Sequence, residues 1–430
     1  MSASTGDYLI GRGRWLFRQF GKRMWVRATM FSVAAVLTAL LAVVAGPYMP
    51  ASWELKLASG SVGNILNILA SSMLAVTTFS LSIMVSAYGS ATSNVTPRAT
   101  QLLITDSVAT NTLSTFIGTF LFSIVGIVGL AANIYGSNGR VILFFATLAV
   151  IFIVVAALLR WIEELNYFGR VADTTTRVEK RAMASAENWG RRPRLGARPA
   201  IDIPEDAAPI YVERAGYVQH IDIKDLQEIC DDCEVEVHIV QLPGRFVTRS
   251  TPIAYTVPEL GGERRDRVMA AFSIGHDRNY DQDPRFGLVV LSEIASRALS
   301  PAVNDPGTAI NVLGSGVRVF LAYADGAGNA ESDLFDNVYA PDLDMAALFR
   351  DFFNAIARDA AATIEVHTRI QRNLELIALS HVGLFGAAAR AEADAAIAHA
   401  ETQPLTEREM EILRRVSAWM PPENGAQSLS

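Results

Sequence analysis

Charge is missing from four stretches of this 430-residue chain. Residues 28–44, 62–88, 113–132 and 141–159 contain no Asp, Glu, Lys, Arg or His. Each is near the roughly 20 residues a helix needs to cross a hydrocarbon core of about 30 Å, so the runs predict four transmembrane helices rather than the core of a soluble enzyme. Cysteine is scarce, with only Cys230 and Cys233. Together with His220 and His238 they bring four zinc-ligand types within about twenty residues. However, residues 222–230 read as a short amphipathic helix and 234–240 as a strand, not as paired knuckles. Neither a metal nor another cofactor is expected. Also missing are a Gly-x-Ser-x-Gly elbow, a Walker loop, a His-Glu-x-x-His pair and a dinucleotide-binding glycine run. A secretory signal would carry a 7–15-residue apolar stretch close to the start. Here the stretch begins only after residue 27 and runs longer, so the first span is expected to remain as an anchor.

What is present sets an orientation. Arg12, Arg14, Arg18, Lys22, Arg23 and Arg27 precede the first run, and Arg160, Arg170, Arg177, Lys180 and Arg181 follow the fourth. The segment between the first two runs has only Lys56, and that between the last two only Arg140. Lys and Arg in short flanks resist translocation, so both termini are expected on the cytoplasmic side. Trp25, Tyr48 and Trp53 suit the interfacial belts. The composition, 50% hydrophobic and 19% charged, averages an apolar first third with an ordinary globular remainder. The net charge is −7 in spite of the basic arm, so the acidic excess lies in the soluble part and argues against nucleic acid as a partner. The basic arm is better matched to anionic lipid.

The second apolar run carries unusual polarity. At 100° per residue, Asn64, Asn67, Ser71, Ala75, Thr78, Ser82, Ser86 and Gly89 share one helix face. Lipid offers polar groups no partners, so this face must meet protein or water. It is open to two readings: close packing against a neighbouring helix, or copies of the span lining an aqueous path around an oligomer axis. The third run has its own small-residue face, with Gly118, Gly126, Gly129 and Asn133. Between them, residues 90–111 form a Ser-, Thr- and Asn-rich cytoplasmic loop, with Arg98 either solvated or at the membrane surface.

Residues 161–189 keep helical spacing and predict a stalk on the inner side, and 190–206, rich in Pro and Arg, a linker. Residues 207–262 then read as strand, helix, strand, Pro243-Gly244 turn and strand, the order of the hammerhead of biotinyl and lipoyl domains without their modified lysine. From 263 to 430 the pattern is mainly helical. The expected fold class is therefore an α-helical membrane protein with four spans plus a cytoplasmic α+β region. Its parts are a basic arm (1–27), a membrane domain (28–160), a stalk and linker (161–206), a small barrel-like β module (207–262) and a helical domain (263–430).

The most unusual segment is 273–308, with His276, Arg278, Gln282-Asp283, then a helix, then Arg297-Ala-Leu-Ser300-Pro-Ala-Val-Asn304-Asp305-Pro-Gly-Thr308. On these motifs, with the polar second span ending near Pro97-Arg98 and the Gly216-Tyr-Val-Gln stretch with Pro243-Gly244, the chain resembles a bacterial family of membrane proteins known as domain of unknown function 2254. The resemblance runs from about Trp25 to Ala400. It implies the architecture and an inner-membrane location, and no reaction.

Within 273–308, Arg278, Asp283, Arg297, Ser300, Asn304 and Asp305 are the candidates for a cytoplasmic ligand or structural motif. The structural reading lets Ser300-Pro301 close one helix and Asp305-Pro306 cap the next. A ligand contact and a Ser300/His276 hydrolase are the other two, although neither a base in reach nor an oxyanion site is visible. The leading functional reading is a homo-oligomer in the bilayer that conducts small ions along the face of Asn64, Asn67, Ser71, Thr78, Ser82 and Ser86 under control of the cytoplasmic region. The alternatives are a membrane-tethered enzyme or ligand sensor acting through 273–308, and a scaffold.

Overall fold

The computed structural model describes residues 24–45, 61–104, 107–135, 137–165, 170–331 and 335–419. The basic arm before residue 24, Tyr48, Trp53 and Lys56 lie outside the described residues. The described residues divide into two units, one up to Thr174 and the other from Thr175 onward.

In the first unit the described helices are α1 (Met24–Ala45), α2 (Ser61–Asn94), α3 (Pro97–Ile104), α4 (Ser107–Ala131) and α5 (Ser137–Leu165). Three segments are long and apolar enough to cross a membrane: Ser61–Ser90, Val108–Ala131 and Gly139–Leu165. The fourth expected run, 28–44, falls in α1, where the described apolar stretch, Ala28–Thr38, is shorter than a span. Helix is the form such sequences take because every backbone group must be satisfied within the segment where no water is available.

Helix α4 is the hub, packing against α1, α2 and α5. Its glycines permit this. A Cβ on Gly126 would sit 2.9 Å from Leu66 Cδ1, and one on Gly129 2.5 Å from Tyr135 Cε2. Thr110, Ser114, Thr119 and Ser123 on α4 are buried as well. Their hydroxyls are kept satisfied inside the helix, as when Ser114 Oγ donates to Thr110 O (2.7 Å) and Ser123 Oγ to Thr119 O (2.9 Å). Around this hub Leu69, Met73, Phe116, Val154 and Trp161 form one apolar cluster, and Leu66, Phe122 and Leu143 belong to another. The outer side of α5 exposes Phe145, Leu148, Phe152, Val155 and Leu159, a surface that suits acyl chains.

The second unit begins differently from the expected stalk. Helix α5 ends at Leu165, and a separate helix α6 (Val171–Arg191) follows. Ala182, Ala186 and Trp189 of α6 are buried, and Gly287 lies directly against Ala182. This amphipathic helix thus packs into the core of the second unit instead of standing as a free rod. The segment read as a linker is also ordered: a 3-10 turn (Pro193–Gly196) leads into strand β1 (Ala197–Pro199), with Ala197 fully buried.

The remaining strands are β2 (Ala208–Tyr211), β3 (Gly216–Ile221), β4 (Glu236–Ile239), β5 (Phe246–Val247), β6 (Pro252–Val257), β7 (Phe272–Gly275) and β8 (Phe335–Ala340). Helix α7 (Ile223–Cys233) sits between β3 and β4, and α8 (Gly262–Ala270) before β7. The order of elements across 216–257 is the one expected, yet the strands do not form a module of their own. One sheet runs β1-β8-β4-β6-β2, with β8 parallel to both its neighbours, and the other runs β5-β3-β7. Strands β3 and β4 thus separate into different sheets, and β4 finds its parallel partner about a hundred residues away in β8.

Helices α9 (Pro284–Leu299), α10 (Pro306–Gly328), α11 (Met345–Asp359), α12 (Ile364–Ser380), α13 (Val382–Glu401) and α14 (Glu407–Ser417) complete the unit. Phe320, Phe349, Phe352, Phe353 and Phe385 are fully buried among them, with ring centroids 4.4 Å apart for Phe320 and Phe349. Gly316 leaves the space that Phe352 fills.

Candidate functional site

Two places bring together the residues singled out from the sequence, one in each unit. The first is the polar face of α2. Val62, Leu66, Leu69, Met73 and Met84 are buried, whereas Asn64, Asn67, Ser71, Thr78, Ser82 and Ser86 are all exposed. At 100° per residue these sets are centred half a turn apart, so the polar stripe points away from the helices α2 packs against. Ser71 Oγ donates to Asn67 O (2.9 Å), Thr78 Oγ1 to Leu74 O (2.9 Å) and Ser82 Oγ to Thr78 O (3.0 Å). Each hydroxyl proton is therefore placed, and the oxygen lone pairs remain turned outward. The Asn64 and Asn67 side chains find no partner among the described residues.

The second place lies at the N-terminus of α9. Asp283 caps this helix, its Oδ1 accepting from Phe286 N at 3.1 Å. The same carboxylate takes both arms of Arg278, Nε to Oδ2 at 2.7 Å and Nη2 to Oδ1 at 3.0 Å. Arg278 also lies 5.1 Å over the Phe286 ring. Burial pushes the Asp283 carboxyl up, and the Arg278 guanidinium pulls against it. Behind the pair, Gly244 adopts φ +89°, and a Cβ there would run into the Asp283 carboxylate. Gln282 stitches the loop to β3, Oε1 accepting from Ile221 N (2.8 Å) and Nε2 donating to Ile221 O (3.2 Å). Pro243-Gly244, Arg278 and Gln282-Asp283 thus converge, although up to 40 positions part them in sequence.

Arg297, Ser300, Asn304 and Asp305 do not join them. Arg297 sits in the last turn of α9, whose 16 residues span about 24 Å, and the other three follow its C-terminal end. There Ser300 Oγ donates to Arg297 O (2.7 Å), Asn304 takes φ +50°, and Asp305 caps α10 by accepting from Thr308 N (3.0 Å) and Thr308 Oγ1 (2.6 Å). The Thr308 hydroxyl and amide hold the Asp305 carboxyl below its ordinary range. His276 precedes α9 and Ser300 follows it, so a Ser-His pair is not assembled. The geometry at this end is that of a helix stop and a helix start.

The cysteine cluster is likewise dispersed into packing. Cys230 is buried on α7 with Sγ 3.5 Å from Asn337 O, and burial pushes its thiol up to about 12. His238 stacks on Tyr339 at 4.8 Å. No group of three or more potential metal ligands occurs among the described residues.

Beside the Arg278–Asp283 pair opens a cleft of about 410 Å³, whose walls include Trp189, Tyr217, Arg245, Phe246, Arg285 and Asp342. Sequence reasoning singled out none of these six. They come from six elements or loops, and apart from the adjacent Arg245 and Phe246 no local spacing marks them as neighbours.

Two uncharacterized proteins, one of Mycobacterium bovis and one of Mycobacterium tuberculosis, are each 29% identical over 180 residues, covering 39% of this chain and 34% of theirs. The chain thus spans about a third of the length of these relatives. No solved structure matches. The family model described as Predicted membrane protein (DUF2254) matches residues 21–375, most of the membrane unit and the cleft-bearing part of the soluble one, and the chain belongs to that family.

Proposed function

We propose that this membrane protein assembles as a homo-oligomer in which copies of α2 face one another around a hydrated path for small ions. The single observation that supports this reading is the exposure of the polar stripe. An unpartnered amide in hydrocarbon costs several kcal/mol, so Asn64 and Asn67 require water or protein beyond the described residues of the protomer. Hydroxyls whose protons are already placed present oxygen to the path, the polarity that replaces part of a cation's hydration. In this proposal α1 is a fourth span, the membrane is the bacterial inner membrane, both termini are cytoplasmic, and residues 175–430 are a regulatory region. The hammerhead likeness then concerns element order alone.

Conductance in planar bilayers reconstituted with the purified protein tests it. Ser71→Leu and Thr78→Leu should abolish current while leaving the assembled mass unchanged. Absent current in the wild type, or unchanged current in both variants, rejects it.

A second reading is favoured by the cleft at Arg278 and Asp283: the soluble unit is a ligand sensor. It holds whether the membrane unit conducts or only tethers.

A further inference from the structure

We infer that the cleft flanked by β3, β5 and the N-termini of α9 and α11 binds a small phosphorylated molecule that carries a planar ring, the chemistry of a nucleoside phosphate. Its volume of about 410 Å³ falls within the roughly 300–1,000 Å³ of small-molecule sites. The ligand class follows from which charges in the wall are already spent.

Each carboxylate of the wall already has at least one donor, although the Asp342 side chain stays 73% exposed. Asp283 is held by Arg278 and by Phe286 N. Asp342 takes Arg194 Nη1 at 2.7 Å, and Asp344 caps α11 by accepting from Ala347 N at 2.9 Å. Behind the wall, Asp351 accepts from Arg285 Nε at 2.7 Å.

The guanidiniums are not fully used. Arg285 spends only Nε and keeps both Nη groups, and Arg278 keeps Nη1. Arg245 is exposed and its side chain has no partner among the described residues. Unspent donors on three guanidiniums in one concave wall suit an oxyanion with several acceptor atoms, for which the planar fork is better adapted than a point charge.

The ring is the second half of the argument. Phe246 lies on the two-residue edge strand β5 and is 57% exposed, next in sequence to Arg245. It meets Tyr217 edge-on, centroids 5.1 Å apart and planes at 73°. Two aromatic faces at right angles at the rim of a cleft offer a flat ligand a stacking surface. An acyl chain or a bare phosphate would leave one half of this surface unused.

The inference rests on the soluble unit being a ligand sensor and is independent of conduction. Its test uses the full chain in nanodiscs, with the four common ribonucleoside monophosphates, the matching nucleosides and inorganic phosphate as probes, read by isothermal titration calorimetry and thermal shift. At least one monophosphate should bind ten-fold or more tightly than both its nucleoside and inorganic phosphate. Arg245→Ala and Phe246→Ala, both surface changes, should each weaken that binding at least ten-fold with the unliganded melting point unmoved. Phosphate binding as tightly as the monophosphates overturns the ring assignment. Preference for an uncharged nucleoside overturns the phosphate assignment while preserving a sensor, and no binding by any probe overturns both.

Discussion

At Gly244 a single hydrogen in place of a side chain lets the Pro-Gly turn close over a buried carboxylate. The φ of +89° excludes most L residues, and the Asp283 oxygens occupy the space a methyl would need. Gly244→Ala is therefore expected to cost at least the roughly 1–3 kcal/mol of a strained left-handed residue, seen as a lower thermal midpoint of the soluble unit. Arg278→Ala acts on the other side of the same carboxylate. Asp283 retains only 2% of its side-chain exposure, so losing the guanidinium strands a charge and should cost about 3–5 kcal/mol. The double variant Arg278→Ala/Asp283→Ala should be much less damaged than the sum of its parts, and an additive result in urea titrations would refute the coupling. Of this network only the helix cap was open to reading from local sequence. The Asp-Pro pairs at 283–284 and 305–306 carry the same N-cap signature, but whether a cap also folds an arginine back from five residues upstream and receives a glycine from a turn about forty positions away depends on tertiary packing.

Two adjacent helices illustrate how an element's chemistry is legible while its direction is not. Periodicity predicts a polar face on α2 and a small-residue face on α4; the named α2 residues are exposed, Gly118, Gly126 and Gly129 of α4 are buried, and Asn133 lies beyond the end of α4. Nothing in either sequence says which face turns toward the protomer's own core, because packing and pore lining require the same residue types. In the structure α4 buries Gly126, Ser114 and Ser123, and α2 leaves Ser71, Thr78 and Ser82 exposed. Cysteine cross-linking separates the two. In a background with Cys230 and Cys233 replaced by serine, Ser71→Cys or Ser82→Cys should yield disulfide-linked dimers in membranes, whereas Ser123→Cys on α4 should not. Equal yields at all three positions would remove the support for an α2-lined assembly. The segment 273–308 shows the converse limit. Its motifs lie close in sequence, yet a 16-residue helix holds their two halves apart. The stalk and linker failed for a related reason: the amphipathic face of α6 and the buried Ala197 have meaning only against α9, α10 and β8, all encoded later in the chain.

For the molecule as a whole, acid sensitivity should originate in buried imidazoles. On α12, buried His367 donates its Nε2–H to Ala361 O (2.9 Å), and burial lowers its pKa, as it does for His238. In the unfolded chain each takes up a proton near pH 6.5, while the folded state resists it. The stability they contribute is thus fully present above that pH and is lost as pH falls from it through the lowered folded values. Thermal midpoints of the protein should decline as pH falls below about 6.5, and the decline should flatten in His367→Gln/His238→Gln; an unchanged slope would place the sensitivity elsewhere. The pairing of β1 with β8 has a different kind of consequence. Arg198 Nη1 donates to Asp336 O across a sequence separation of 138, and at roughly 5–20 residues per second a ribosome takes about 7–30 s to cover that distance. During this interval the apolar helices have left the exit tunnel while β1 and β4 still lack the strand that joins them. Nascent chains halted before codon 340 therefore display two open strand edges beside the bilayer, and a cell making this protein must shield those edges until the last strand arrives.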